Sequence, residues 1–243
     1  MNIIFRYAFL LLLILKGYTV VSQNIVHVTN YSKNEYKGGS QNWDITLDNS
    51  GNVFIANNNG LLIFDGAKWQ LLKFPINTII RSVAYDNNRI YTGSFEEFGY
   101  WETDSTQEWK YSSLIPLLGE IKLHNDEFWK ILKHKDCVYF QSFGTILCYD
   151  YKTIKPLKIP GSILFLLKSN DRLFVQQVNG GLFEIIDQKM IFIPGSHIFQ
   201  DTEIKAIVSL SDDELLIGTS SKGVYKYNGK SFSEWKNETS EDL

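Results

Sequence analysis

The chain has 243 residues, 44% apolar and 14% aromatic, with 24 Lys and Arg set against 27 Asp and Glu for a formal net charge of −3. That composition supports a packed core and excludes a disordered, collagen-like or disulfide-dense chain. No Lys/Arg cluster is present, so this segment is not expected to grip nucleic acid; the densest basic spot, Lys133-His134-Lys135, reads as a solvated turn.

Residues 1–22 read as a signal peptide rather than part of the fold. Arg6 precedes the apolar run Ala8–Leu15, and Val20-Val21-Ser22 provides a small-residue site for cleavage after Ser22. The run is short of the ~20 residues a membrane span needs, although a retained N-terminal anchor is the alternative. The mature chain is therefore expected in the periplasm or secreted, with no membrane span after cleavage. Residues 23–40 hold a lone strand-like run, Ile25–Val28, and a polar link containing Gly38 and Gly39.

From residue 41 the chain repeats. In the first unit a turn at Asn49-Ser50-Gly51 precedes the apolar run Val53–Ala56 and the loop Asn57-Asn58-Asn59; Gly60 opens the next run, Leu61–Phe64, and Asp65-Gly66 turns into Trp69–Phe74. Asp-Gly between apolar runs predicts a hairpin with a type I′ turn. The reference glycine returns as Gly99, Gly144, Gly181 and Gly223, a period of ~40 residues. Each glycine is followed shortly by Asp65, Asp104, Asp150, Asp187 or Asn228 and preceded by β-rich runs such as Ile90-Tyr91-Thr92, Val138-Tyr139-Phe140 and Leu215-Leu216-Ile217. Four units end in an apolar-Pro step, at Pro75, Pro116, Pro160 and Pro194, which suits the end of an outer strand because proline cannot donate to a ladder.

Four short strands in a unit of ~40 residues predict an all-β fold, a β-propeller of four-stranded blades, with a β-sandwich as the competing reading. The blades are expected at about 41–76, 77–118, 119–161, 162–199 and 200–243. The fifth unit already has an outer strand, Ser231–Lys236, so the lone N-terminal strand has no vacancy to fill. Five blades of a larger, seven-bladed ring are therefore expected, with a closed five-bladed ring as the alternative.

Three stretches carry a resemblance: Asn30–Asp44, Phe54–Gly66 and Gly93–Trp101. They resemble the two-component regulator propeller family, the N-terminal periplasmic sensor propellers of Bacteroidetes-type regulators. The likeness extends over residues 24–243. The family's Trp-Ile-Gly-Thr strand appears here as Phe54-Ile55-Ala56-Asn57, Tyr91-Thr92-Gly93-Ser94 and Leu216-Ile217-Gly218-Thr219, without the Trp. The resemblance implies further blades, a triple-tyrosine domain, a membrane helix and a cytoplasmic output module (LuxR-like or histidine kinase) in a longer chain. It also implies a sensing role in signal transduction and transcriptional regulation, and a homodimer.

No motif asks for catalysis or a cofactor. His27, His124, His134 and His197 lie in different units without metal-ligand spacing. Glu96-Glu97 are neighbours on extended chain and point apart, a poor acid/base pair. Asp48–Asn52 resembles a calcium loop, but Asn59 stands where a bidentate Glu is needed. Cys137 and Cys148 flank a hairpin near Ser142-Phe143; two buried free thiols are the preferred reading and a disulfide the alternative. Trp43, Trp69, Trp101, Trp109, Trp129 and Trp235 are expected to pack between blades.

Function is expected at the propeller mouth, where the loops between second and third strands meet the residues leading into the inner strands. That places Asn57, Asn58, Asn59, Ser94, Phe95, Glu96, Glu97, Ser142 and Phe143 together, with Asn179, Ser220, Ser221 and Lys222. Amides, hydroxyls, carboxylates and aromatics suit a glycan or another small hydroxyl-rich ligand, and Arg81 would suit an anionic one. The leading reading is an extracytoplasmic, non-enzymatic sensor propeller that binds a ligand or partner. The alternatives are a polysaccharide-active enzyme using the mouth and a surface interaction scaffold.

Overall fold

The computed structural model describes residues 28–76 and 78–236, so the expected signal peptide and Ile25–His27 lie outside the described residues. The chain divides into two units, Met1–Tyr31 and Ser32–Leu243; in the first, residues 28–31 carry no regular structure, and every element below belongs to the second. The polar link forms a helical turn, α1 (Lys33–Tyr36), because Ser32 and Glu35 make a reciprocal capping box.

Among the described residues, twenty strands then form five four-stranded antiparallel sheets, each in sequence order. Blade 1 holds β1 (Asn42–Leu47), β2 (Val53–Asn57), β3 (Gly60–Phe64) and β4 (Trp69–Leu72). Blade 2 holds β5 (Ser82–Asp86), β6 (Arg89–Gly93), β7 (Phe98–Thr103) and β8 (Trp109–Ser113). Blade 3 runs through β9 (Lys130–His134), β10 (Cys137–Gln141), β11 (Ile146–Tyr149) and β12 (Ile154–Pro156). Blade 4 runs through β13 (Ile163–Ser169), β14 (Arg172–Gln177), β15 (Leu182–Ile186) and β16 (Lys189–Phe192). Blade 5 comprises β17 (Ile204–Ser209), β18 (Leu215–Thr219), β19 (Val224–Tyr227) and β20 (Phe232–Glu234). The inner strands β1, β5, β9, β13 and β17 pack in series, which is the propeller arrangement and not two facing layers.

The repeated residues have separate jobs. A Cβ on Gly60 would sit 2.1 Å from the Leu72 carbonyl oxygen, and one on Gly99 2.2 Å from that of Ser112; glycine there lets the third and fourth strands come together. In four of the five units the later Asp or Asn closes the turn between those strands with its side chain. Asp65 accepts the amides of Ala67 and Lys68, Asp104 those of Thr106 and Glu108, Asp150 those of Lys152 and Thr153, and Asn228 those of Lys230 and Ser231. Hydrogen bonding, the Thr153 amide foremost, holds the Asp150 carboxyl down at about 2. The type I′ expectation at Asp65-Gly66 is corrected: Gly66 has φ +93 and Asp65 keeps negative φ, because the Asp65 carboxylate closes the turn instead. Two consecutive positive-φ residues occur at Asn87-Asn88 and Asp187-Gln188.

Apolar cores lie between blades and not within them. Phe54, Leu61 and Ile63 of blade 1 meet Ile80, Val83, Ile90 and Trp101 of blade 2. Tyr91 and Phe98 meet Ile131, Phe140 and Leu147 at the next junction. Tyr139 and Ile146 meet Leu166, Leu173 and Val175, and Phe174 and Leu182 meet Ile207, Leu215 and Ile217. Near the axis each junction is also latched by a polar side chain. Asp44 accepts the Val83 amide at 3.3 Å, Ser82 donates to the Phe128 carbonyl at 2.7 Å, Gln141 accepts the Leu166 amide at 3.3 Å and Gln176 the Ile204 amide at 2.8 Å. Gln176 also donates to the carbonyls of Phe199 and Thr202.

The two cysteines are joined, so the free-thiol reading is corrected. Tyr139 faces Cys148 across β10 and β11, which leaves Cys137 its diagonal neighbour on the same face with Cα atoms 5.7 Å apart, within bridging range. Titration in denaturant is expected to find no free thiol until reductant is added, and reduction to cost about 2–3 kcal/mol of stability by the loop-closure argument. Gln176→Leu strands a buried amide and two carbonyls; it is expected to lower the unfolding free energy by about 3 kcal/mol, measured by urea denaturation as a shift in midpoint at constant m.

Candidate functional site

At one end of the propeller a cavity of about 470 Å³ is lined from all five innermost strands or the residues leading into them: Trp43 and Asp44, Arg81, Trp129 and Lys130, Phe165, and Glu203 and Lys205, with Leu166, Leu167 and Ile204 beneath. Contributions from every blade put it on the propeller axis.

Arg81 organises it. Its amide is fixed to the Gly93 carbonyl at 2.8 Å, and its guanidinium carbon lies 4.0 Å over the Trp43 ring and 4.8 Å from the centre of the Trp129 ring. The Arg81 Nε donates to the Glu127 carboxylate. One cation thus ties blades 1, 2 and 3, each largely desolvated cation–π contact contributing on the order of 1–2 kcal/mol. Trp43 is oriented by its indole N–H, which donates to Asn58 at 2.7 Å. From Trp43 the aromatic contacts continue to Trp129 at 5.7 Å, Phe143 at 6.1 Å and Phe165 at 5.7 Å between ring centres. The other charges are paired as well: Lys130 with Asp44 between blades 3 and 1 at 3.9 Å, and Lys205 with Glu203 along blade 5 at 2.7 Å. Three cations face three anions, so the site is electrically balanced.

The expected residues separate into three groups. Asn57 is fully buried and spends its amide on Gly39, Gln41 and Asn42. Ser94 is buried and bonds the Ile79 carbonyl and Thr78. Glu97 is buried toward the outer strand, accepting Tyr111 and Ser113 at 2.7 Å each; this pushes the Tyr111 phenol well above its ordinary range, burial being the largest cause and the Glu97 charge the next. Ser142 binds Asp126 and accepts the amides of Gly144 and Thr145. These four build loops and do not face the cavity. Asn59, Phe95 and Glu96 lie on the rim, Glu96 accepting the Asn125 amide at 3.0 Å. Ser220 and Ser221 lie by the Thr202 hydroxyl, and Lys222 pairs with Asp201. Of the expected residues only Arg81 lines the cavity; Phe143 packs behind it on Trp129 and Phe165, and Asn58 orients Trp43.

The expectation that tryptophans pack between blades holds for Trp101 and Trp109, which belong to the junction of blades 1 and 2, and is corrected for Trp129, which faces the axis. Trp43 reaches that junction core and also lines the cavity. Sequence reasoning missed Trp43, Trp129, Glu127, Lys130, Phe165, Glu203 and Lys205 as site residues. A signal existed: Asp44, Ser82 and Lys130 pair with Ala56, Gly93 and Gln141, at or one residue before the ends of their second strands, so Trp43, Arg81 and Trp129 hold one repeat position.

Among the described residues no cluster of three His, Cys, Asp or Glu could hold a metal, and no helix is long and apolar enough to cross a membrane.

No family model and no curated protein matches the chain, but solved structures do. Virginiamycin B lyase from Staphylococcus aureus is similar with TM-score 0.61 at 14% identity, over 85% of this chain and 72% of the lyase. The extracellular domain of the hybrid two component system BT4673 from B. thetaiotaomicron is similar with TM-score 0.57 at 17% identity, over 78% of this chain and 26% of that one. PorZ, a surface component of the type-IX secretion system of Porphyromonas gingivalis, is similar with TM-score 0.56 at 14% identity, over 82% of this chain and 26% of that one. The chain spans about a quarter of the length of the last two. These likenesses establish the β-propeller fold, and they include the extracellular domain of a regulator of the kind that the sequence resembles.

Proposed function

We propose that the chain is the extracytoplasmic sensor part of a signal-transduction regulator, binding a small hydroxyl-rich ligand such as a glycan at the axial cavity without turning it over. The observation that carries this reading is the convergence of five blades on one neutral, aromatic-walled cavity centred on Arg81. A ligand there meets ring surfaces together with paired ions that can still donate and accept hydrogen bonds. The Cys137–Cys148 bond supports a compartment outside the cytosol. BT4673, whose solved part is an extracellular domain, supports placing such a propeller in a longer regulator, whose triple-tyrosine and output domains, and homodimer, would complete the device.

The same proposal takes the five blades as part of a larger ring. Ile45 and Leu47 on the outer face of blade 1 are 62% and 57% exposed, and Val208 and Leu210 on the outer face of blade 5 are 55% and 51% exposed. These are the side chains that would be covered by neighbouring blades, because one sheet cannot bury both faces alone.

Two measurements test this. Screening the chain against a glycan panel is expected to give saturable binding without products, weakened at least about tenfold by Trp129→Ala; product formation would replace the sensor with an enzyme. Replacing Ile45 and Leu47 by Ser is expected to leave the melting temperature within a few degrees, the cost of ~1 kcal/mol or less. A loss of the size of a core truncation would show the ring closed at five.

A further inference from the structure

The link ahead of the first blade belongs to no repeat, yet it is fastened to blade 1. The Asn57 carbonyl oxygen accepts the Gly39 amide at 2.7 Å, and the Asn57 Nδ2 donates to the carbonyls of Gly39 and Gln41 at 3.0 Å each and to Asn42 at 2.6 Å. A Cβ on Gly39 would stand 2.7 Å from that of Asn58, so a residue without one lets the link lie against the loop between β2 and β3. Lys37, two residues earlier, caps α1 in the left-handed conformation with its amide on the Lys33 carbonyl at 2.9 Å. The backbone that carries Lys37 is thus held on both sides.

This fastening brings Lys37 to a second cavity, of about 490 Å³, where the link, the loop between β2 and β3 and the end of β4 meet. Lys37, Asn58, Asn59, Leu71, Lys73 and Phe74 are among its walls, no carboxylate lines it, and it shares no lining residue with the axial cavity. The axial lysines, Lys130 and Lys205, have carboxylate partners; among the described residues neither Lys37 nor Lys73 has one. Asn58 adds a directed donor. An indole N–H can only donate, so the Asn58 oxygen must be the atom that meets Trp43. Its Nδ2, which has no protein acceptor among the described residues, is left for the cavity that Asn58 lines.

We propose that this cavity binds a tetrahedral oxyanion, a sulfate or phosphate group, either free or carried on a sugar. Two like charges in one cleft repel each other and focus a positive potential that a doubly charged anion relieves. Lysines are compact charges with rotatable donors and suit a tetrahedral anion, whereas a planar carboxylate is matched better by the arginine fork. The volume falls in the range of small-molecule sites, and Leu71 and Phe74 supply apolar wall for a carrier. The assignment goes beyond the axial ligand reading and does not rest on it.

The test titrates the intact chain by calorimetry, at constant ionic strength, with inorganic sulfate, inorganic phosphate, glucose monosulfate and glucose monophosphate, and with glucose as the neutral control. Expected is saturable binding of a sulfate or phosphate species that weakens at least about tenfold in Lys37→Gln/Lys73→Gln. Both lysines are exposed, so an unchanged melting curve certifies that variant's fold. Asn58→Asp keeps an acceptor for the Trp43 indole but replaces the donor with a negative charge, and a loss of similar size is expected. Lys33→Gln, which removes a neighbouring charge outside the cavity, is expected to change the affinity less than about twofold. A sugar ester that binds at least about tenfold more tightly than its inorganic anion assigns the group to a carrier; equal affinities assign the free anion. No saturation below about 10 mM, equal affinity in the double variant, or the same loss from Lys33→Gln overturns the proposal. The double variant leaves the axial cavity's lining intact, so glycan binding measured on it reports that reading alone.

Discussion

The junction between neighbouring blades is the interaction on which this structure rests. Each sheet is too thin and too apolar on both faces to stand alone, and the four cores all lie where one blade meets the next. Apolar burial alone would let the sheets slide, since it has no direction. Direction comes from Asp44, Ser82, Gln141 and Gln176, which reach from one blade to the backbone of the next. A buried amide with its partner missing costs more than the bond contributes when made, so these latches penalise wrong blade spacing more than they reward the right one.

The site follows from the same arrangement. Inner strands fixed in series bring their leading residues around one axis, and a position that repeats along the chain becomes a circle in space. Trp43, Arg81 and Trp129 occupy that position in three consecutive blades, and stacking makes a cation the centre of an aromatic group. Lys130 and Lys205 find carboxylates within the cavity as well. A neutral interior admits a neutral ligand without requiring an ion pair to be opened.

The fold was legible in the sequence because blades are local: strands, turns and period all lie within ~40 residues. Gly60 and Asp65 were readable as turn and strand markers for the same reason, although the Asp65 turn is closed by its side chain and not by two positive-φ residues. The site was only partly legible. Arg81 and Phe143 stood out by charge and by loop position. Asn57, Ser94, Glu97 and Ser142 looked like binding groups because polar loop residues that satisfy the protein's own backbone are chemically the same as residues that would satisfy a ligand. Trp129 was assigned to the core because composition cannot distinguish an aromatic facing a neighbouring blade from one facing the axis. Cys137 and Cys148 depended on one residue of register, which spacing alone does not give.

The sandwiching of Arg81 has an optical consequence. Two of the six indoles in the chain lie against one guanidinium, and indole emission responds to charge held at van der Waals distance. Any movement of that cation, whatever drives it, will register as a change in intrinsic fluorescence, so the chain carries its own label at its centre.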